Sequence, residues 1–222
     1  MKQLFKKIST NKAISGYSIG PMEKQIDVVL RTGEDVSNLM FLPSFLKDSK
    51  HHYVLEYKSH ADAYRAQDVS KTAMYKWGYA HAEKMRIKDF QAVKGCLMVV
   101  SLNKWAKSTI DNGVFLETKS PGVYSMRDGT IDFFVVIDEL PLTTENFGLL
   151  LNSTAPKLTK VLAFARKNGF LDHTIMESYL YSKCFLIGDS EDEELMTEVK
   201  KILKHNHEKG IRNAVDIIGL KK

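Results

Sequence analysis

Three residues of this chain could do chemistry together: Glu56 and Lys58 in Tyr53-Val54-Leu55-Glu56-Tyr57-Lys58-Ser59, and Asp27 in Gln25-Ile26-Asp27-Val28-Val29-Leu30-Arg31. Both stretches are apolar and β-prone. In a strand, side chains two residues apart share a face. Glu56 and Lys58 are therefore expected side by side with Val54, while Leu55 and Tyr57 point the other way. A carboxylate and an ammonium held together at a strand end suit hydrolysis at a metal. The carboxylate can bind Mg²⁺, and the lysine can position a water or steady developing negative charge. The competing reading is an ion pair on an exposed strand, because Glu-x-Lys alone is a common pattern. Asp27 sharpens the matter. A carboxylate inside a run of Ile26, Val28, Val29 and Leu30 must be satisfied by something.

The elements that would position these residues can be read in order. Leu4, Phe5 and Ile8 among Lys2, Lys6 and Lys7 suggest a short amphipathic N-terminal helix or tail. Ala13 to Pro21 reads as an irregular strand or loop, and Gln25 to Arg31 as a strand. Leu39 to Leu46, around Pro43, reads as a short helix. After the Glu56 strand, Ser59 or Asp62 can cap a long helix running to about Arg86. Its apolar positions are Tyr64, Val69, Ala73, Met74, Trp77 and Ala80, which marks Trp77 as a core residue. Gly95 to Leu102 is fully apolar, as expected of a central buried strand. Residues 114–137, with turns at Ser120-Pro121-Gly122 and Arg127-Asp128-Gly129-Thr130, read as a small antiparallel meander. From Thr143 onward the pattern is helical. Pro156 opens a helix that Asn168-Gly169 ends. Residues 172–187 fit helix or strand equally, and Ser190-x-x-Glu193 is a capping box for a last helix.

Composition bounds the function. The chain has 222 residues, 44% of them hydrophobic, enough for one large domain with a real core. No apolar run approaches the roughly 20 residues of a membrane span, and no secretory signal is visible, so a cytoplasmic protein with no membrane partner is expected. Cys96 and Cys184 read as buried thiols, and no Cys/His spacing suggests zinc. No Gly-rich phosphate loop of useful spacing is present. The net charge of +5 is uneven: residues 1–113 carry 18 Lys and Arg against 11 Asp and Glu. The basic half holds Glu56 and Lys58, which favours a polyanion as partner. Asp132 and Asp138, flanking an apolar strand, read as exposed strand-end residues rather than ligands. Tyr75, Trp77 and Tyr79 could stack on unpaired bases, although helix positions two apart do not face the same way.

A strand with Asp27, a strand with Glu56-Tyr57-Lys58, a long helix and an apolar strand together resemble the PD-(D/E)XK nuclease superfamily. The resemblance covers about residues 13–103. Residues Asp138-Glu139-Leu140-Pro141-Leu142-Thr143 resemble more loosely the bacterial recombination-promoting, transposase-like type. It implies that Asp27 and Glu56 bind Mg²⁺ or Mn²⁺, that Lys58 assists the attacking water, and that Gln67 adds a polar group from the helix. Ile26 stands where the motif often has proline, and Glu23 is the candidate for an acidic residue from the N-terminal helix.

The expected fold is α/β: a mixed central β-sheet of four or five strands flanked by helices, with a restriction-endonuclease-like core. Residues 1–222 form a single domain, with a nuclease-like core over 13–103, a β-meander over 114–137 and a mostly helical portion over 143–222. The expected function is metal-dependent hydrolysis of phosphodiester bonds in nucleic acid, DNA first. Lys24, Arg31, Arg65 and Lys71 are the candidates for holding phosphates without reading sequence. The alternative is a catalytically inactive module that binds nucleic acid or protein on a nuclease-like fold. A third reading is a structural partner whose C-terminal helices associate, including with copies of itself.

Overall fold

The computed structural model describes residues 13–18, 25–31, 40–59 and 61–170, together with Thr197 and Lys201. Lys24, Glu23, Cys184, the N-terminal helix and everything expected between 172 and 196 lie outside the described residues. The chain divides into two compact units, Met1–Thr154 and Ala155–Lys222.

The first unit is α/β. Its seven-stranded sheet runs β1 (Ala13–Ser18), β2 (Gln25–Arg31), β3 (His52–Lys58), β4 (Val93–Val99), β7 (Phe133–Val136), β6 (Val123–Met126) and β5 (Phe115–Glu117) across its width. β1, β2 and β3 are antiparallel, as are β7, β6 and β5, while β3, β4 and β7 are parallel. A parallel pair needs a long crossover, and helix α1 (Ala66–Ala82) supplies it between β3 and β4. The meander over 114–137 is present, but it is no separate sheet. Phe133–Val136 docks alongside Cys96–Val99 and carries β6 and β5 with it, hence seven strands rather than four or five. Gly122, at φ +74°, makes the β5–β6 turn possible: a Cβ there would lie 2.8 Å from the Leu140 backbone nitrogen and 2.9 Å from the Val136 carbonyl oxygen.

One face of the sheet packs on α1 and on α2 (Lys104–Asp111). Val29, Val54 and Val93 meet Tyr75, Tyr79 and Ala80, and Leu97, Val99, Phe134 and Val136 join Val69 and Ala106. On the other face Phe45 and Tyr53 pack with Phe133, and Phe41 meets Phe147 of α3 (Phe147–Leu150). Each of these large side chains removes enough apolar surface from water to stabilise by about 1.5–3 kcal/mol when fully buried.

Helix α1 begins later than its sequence suggests. Asp62 does not cap it; its carboxylate accepts from the backbone and hydroxyl of Ser59 and closes the preceding loop. Arg65 occupies the cap position in extended conformation, and Asp68 accepts its backbone N–H at 2.8 Å. The inward face also differs. Asp68, Val69, Thr72, Tyr75, Lys76, Tyr79 and Ala80 are buried, whereas Met74 and Trp77 are about half exposed. Trp77 is therefore not a core residue; it tilts against Phe90 on the outer side. The apolar pattern misled because the buried face carries an aspartate and a lysine, each paired with a charge on the sheet.

In the second unit, α4 (Ala155–Lys167) aligns Leu158, Val161, Leu162 and Ala165 at helical spacing. It ends as its sequence indicates. Gly169 takes φ +69°, and the N–H of Phe170 reaches back to the Ala165 carbonyl.

Candidate active site

Glu56 lies one turn of pleat from the end of β3, on the face that meets α1. It is 2% exposed. Its Oε1 accepts from two ammonium groups, Lys71 Nζ at 2.6 Å and Lys58 Nζ at 3.2 Å. Its Oε2 is also buried and has no hydrogen-bond partner among the described residues. An unsatisfied buried acceptor costs about 1–3 kcal/mol. Native structures seldom leave one without a partner, and an ordered water or an ion is what completes such a group.

Lys58 is held from two sides: Asp68 Oδ1 lies 2.8 Å from its ammonium and Glu56 Oε1 at 3.2 Å. Burial alone would lower its pKa, but the hydrogen bonds and charges of Asp68 and Glu56 outweigh burial, and the net shift is upward. Lys58 is thus fixed as a donor between two carboxylates. Lys71 shifts alike. Burial pulls its pKa down, and the bond to Glu56 more than offsets it. Its side chain is 40% exposed and its ammonium stands 5.1 Å from the Tyr75 ring centre.

Asp27 belongs to the same face. Val29, two residues on, packs against α1 with Val54, and Arg31, four residues on, bonds Tyr79 and Glu83 of that helix region. Continuing the Val28–Leu55 register by one residue sets Asp27 opposite Glu56. The β2–β3 ladder stops there, which leaves the Tyr57 N–H facing β2 without a backbone acceptor. Asp27 Oδ2 accepts it at 3.0 Å. That bond answers how an aspartate persists inside a β-branched strand.

The site sits at the carboxyl ends of the parallel strands β3 and β4, where α/β sheets commonly open a crevice. Just past those strand ends a groove is lined by Ser59, Asp62, Tyr64, Ser101 and Asn103, and Asp27, Glu56, Lys58, Asp68 and Lys71 are not part of its lining. Tyr64 ties its two sides: its hydroxyl donates to the Ser101 carbonyl at 2.7 Å and accepts from the Asn103 N–H at 2.9 Å.

No family model, curated protein or solved structure matches this chain. The residues must therefore speak for themselves. Glu56 and Lys58 stand together, with Asp27 on their face. Gln67 is exposed on α1, and its neighbour Asp68 is the helix residue that reaches the lysine. Lys71 touches the carboxylate directly, Arg31 is held by Glu83, and Arg65 is exposed. Tyr75 and Tyr79 are buried, so of the three aromatics on α1 only Trp77 presents ring surface to solvent. Among the described residues no group of three or more His, Cys, Asp or Glu side chains gathers as a metal cage. Two hard carboxylates still suit Mg²⁺, which keeps several waters and takes oxygens from substrate phosphates. The unfilled Glu56 Oε2 is the observation on which that fit rests. Among the described residues no helix is long and apolar enough to cross a membrane.

Asp68 and Lys71 were absent from the sequence-derived catalytic set, though a signal existed. They lie three apart on the helix that follows Glu-x-Lys, and such residues share a face. Gln67 lies about 100° around the helix from Asp68.

Proposed function

We propose that this protein is a metal-dependent nuclease that hydrolyses phosphodiester bonds, with DNA as substrate and Mg²⁺ or Mn²⁺ as cofactor. The observation that carries the reading is Glu56: buried at a strand end, opposite Asp27, with one oxygen bound by two lysines and the other unfilled. Asp27 and Glu56 would hold the ion. Once bound, it supplies Lewis-acid polarisation of the phosphate and lowers the pKa of a coordinated water. Lys58, kept protonated and aimed by Asp68, donates to the oxygens on which negative charge grows. Asp68 fixes this aim because its other oxygen is anchored on the Arg65 backbone. Arg65, exposed at the start of α1, would meet phosphates of the backbone.

A non-catalytic binding module on the same fold is the second reading. It is favoured by the two lysines, which already balance Glu56 and Asp68 as a static ion-pair network would. Nicking of supercoiled plasmid decides between them. The nuclease reading expects cleavage with Mg²⁺ or Mn²⁺, none with chelator, and none by Glu56→Gln. An intact plasmid under all metal conditions, with DNA still bound, gives the module.

A further inference from the structure

We infer that Lys71 acts as an internal counter-ion on Glu56 that a divalent cation must displace or neutralise, so that Lys71 sets the metal affinity of the site. The inference rests on the metal-binding reading of Glu56 and adds its regulation.

Two lysines converge on one oxygen of Glu56, but they are held differently. Lys58 has a second carboxylate, Asp68, at 2.8 Å, and its side chain is 16% exposed. Among the described residues Lys71 has no other carboxylate. It makes the shorter bond to Glu56, 2.6 Å, and its side chain is 40% exposed. Its remaining contact is the Tyr75 ring, 5.1 Å from the ammonium. Lys58 is thus locked in place. Lys71 is paired with one carboxylate and otherwise meets Tyr75, and its stem already borders solvent, where its ammonium can be rehydrated.

A divalent ion seated on Glu56 Oε2 would stand a few ångströms from the Lys71 ammonium. Like charges that close repel even at an effective dielectric constant of about 20. Either Lys71 swings out or the ion binds weakly. A phosphate arriving with the substrate gives the released ammonium a new partner, since lysine is a common phosphate ligand. Metal and polyanion would then each favour the other's binding, as linkage requires.

The test reads metal binding rather than activity. Mn²⁺ is titrated into the folded protein and the bound fraction followed by electron paramagnetic resonance. Lys71→Met is expected to bind Mn²⁺ at least about tenfold more tightly than the parent, because one repelling charge is gone. Lys71→Arg, which keeps the charge, is expected to stay near the parent. If Lys71→Met lacks a cooperative thermal transition, Lys71→Gln, which keeps a donor for Oε1, carries the same expectation. Equal or weaker Mn²⁺ binding by the uncharged variant, with Glu56→Gln abolishing binding, overturns the role of Lys71 and leaves the metal site standing. Binding by Glu56→Gln as tight as the parent's overturns the metal site itself, and this inference with it.

Discussion

Helix α1 covers two lysine–carboxylate clusters, and they differ in one respect that separates structure from chemistry. Around Asp132 both carboxylate oxygens are filled. Oδ2 accepts from Lys76 Nζ at 2.8 Å and from the Gly95 N–H at 2.9 Å, and Oδ1 lies 3.0 Å from Lys94 Nζ. Gly95 is part of the arrangement through its N–H, and the Lys76 stem lies across β4 at this residue, about 3.5 Å from where a Cβ would be, an ordinary van der Waals distance. Around Glu56 two lysines crowd one oxygen and the other has no hydrogen-bond partner among the described residues. The Asp132 cluster is closed and ties β4, β7 and α1 together. The Glu56 cluster is open by one oxygen, at the carboxyl end of a parallel strand. Buried ion pairs are weak evidence for stability or function by themselves. The unfilled position is what distinguishes the second.

The comparison can be broken from either side. The largest effect is expected at the closed cluster. Asp132→Ala leaves Lys76 buried opposite nothing and should cost about 3–5 kcal/mol of stability, read from urea unfolding midpoints. Glu56→Gln should cost less, because Lys58 keeps Asp68, Lys71 borders solvent and the amide still offers an oxygen to a lysine. Equal losses at the two sites would erase the distinction.

Next is the open cluster's chemistry. Lys58→Ala should slow cleavage about 10²–10³-fold, the usual consequence of losing one preorganised donor to developing charge. DNA affinity should barely change, since one phosphate contact shifts the salt slope by about one unit. Cleavage at the parent rate under saturating DNA and Mg²⁺ would contradict the role given to Lys58. A smaller loss, about tenfold in Mn²⁺ affinity, is expected for Asp27→Asn, which removes charge but can still accept from the Tyr57 N–H. Calorimetry showing equal affinity would remove Asp27 from the site.

The smallest effect lies outside both clusters. His52 has its pKa lowered below 6.5, first by burial and then by the Arg31 guanidinium. The unfolded chain therefore binds this proton more readily than the folded one. Stability should be complete above the unfolded value and decline as pH falls through 6.5 toward the depressed folded value. His52→Gln should flatten that part of the stability–pH curve, and an unchanged slope would refute the assignment.

The sequence revealed more of the strands than of the helix face. β2, β3 and β4 are legible because their runs are apolar and bounded, and α4 because its stop is written as Asn168-Gly169. Glu56 and Lys58 are legible because strand period alone puts them on one face. The expectation that Asp132 is an exposed strand-end residue fails, since two lysines and a backbone N–H surround its carboxylate. Trp77 and Met74 failed for the same reason as Asp68 and Lys71. A hydrophobic count assigns the inward face of α1 to its apolar residues, but that face buries Asp68, Thr72 and Lys76 against charges and glycine on the sheet. Such pairing depends on residues distant in the chain, and periodicity carries no information about them.

The most direct measurement of the central claim is plasmid nicking by the parent and by Glu56→Gln, with matched thermal transitions, in Mg²⁺ and in chelator. The open cluster predicts cleavage by the parent in Mg²⁺ alone and none by Glu56→Gln. Cleavage by Glu56→Gln at the parent rate, or a parent that leaves every form of DNA intact in Mg²⁺ and in Mn²⁺, would contradict it.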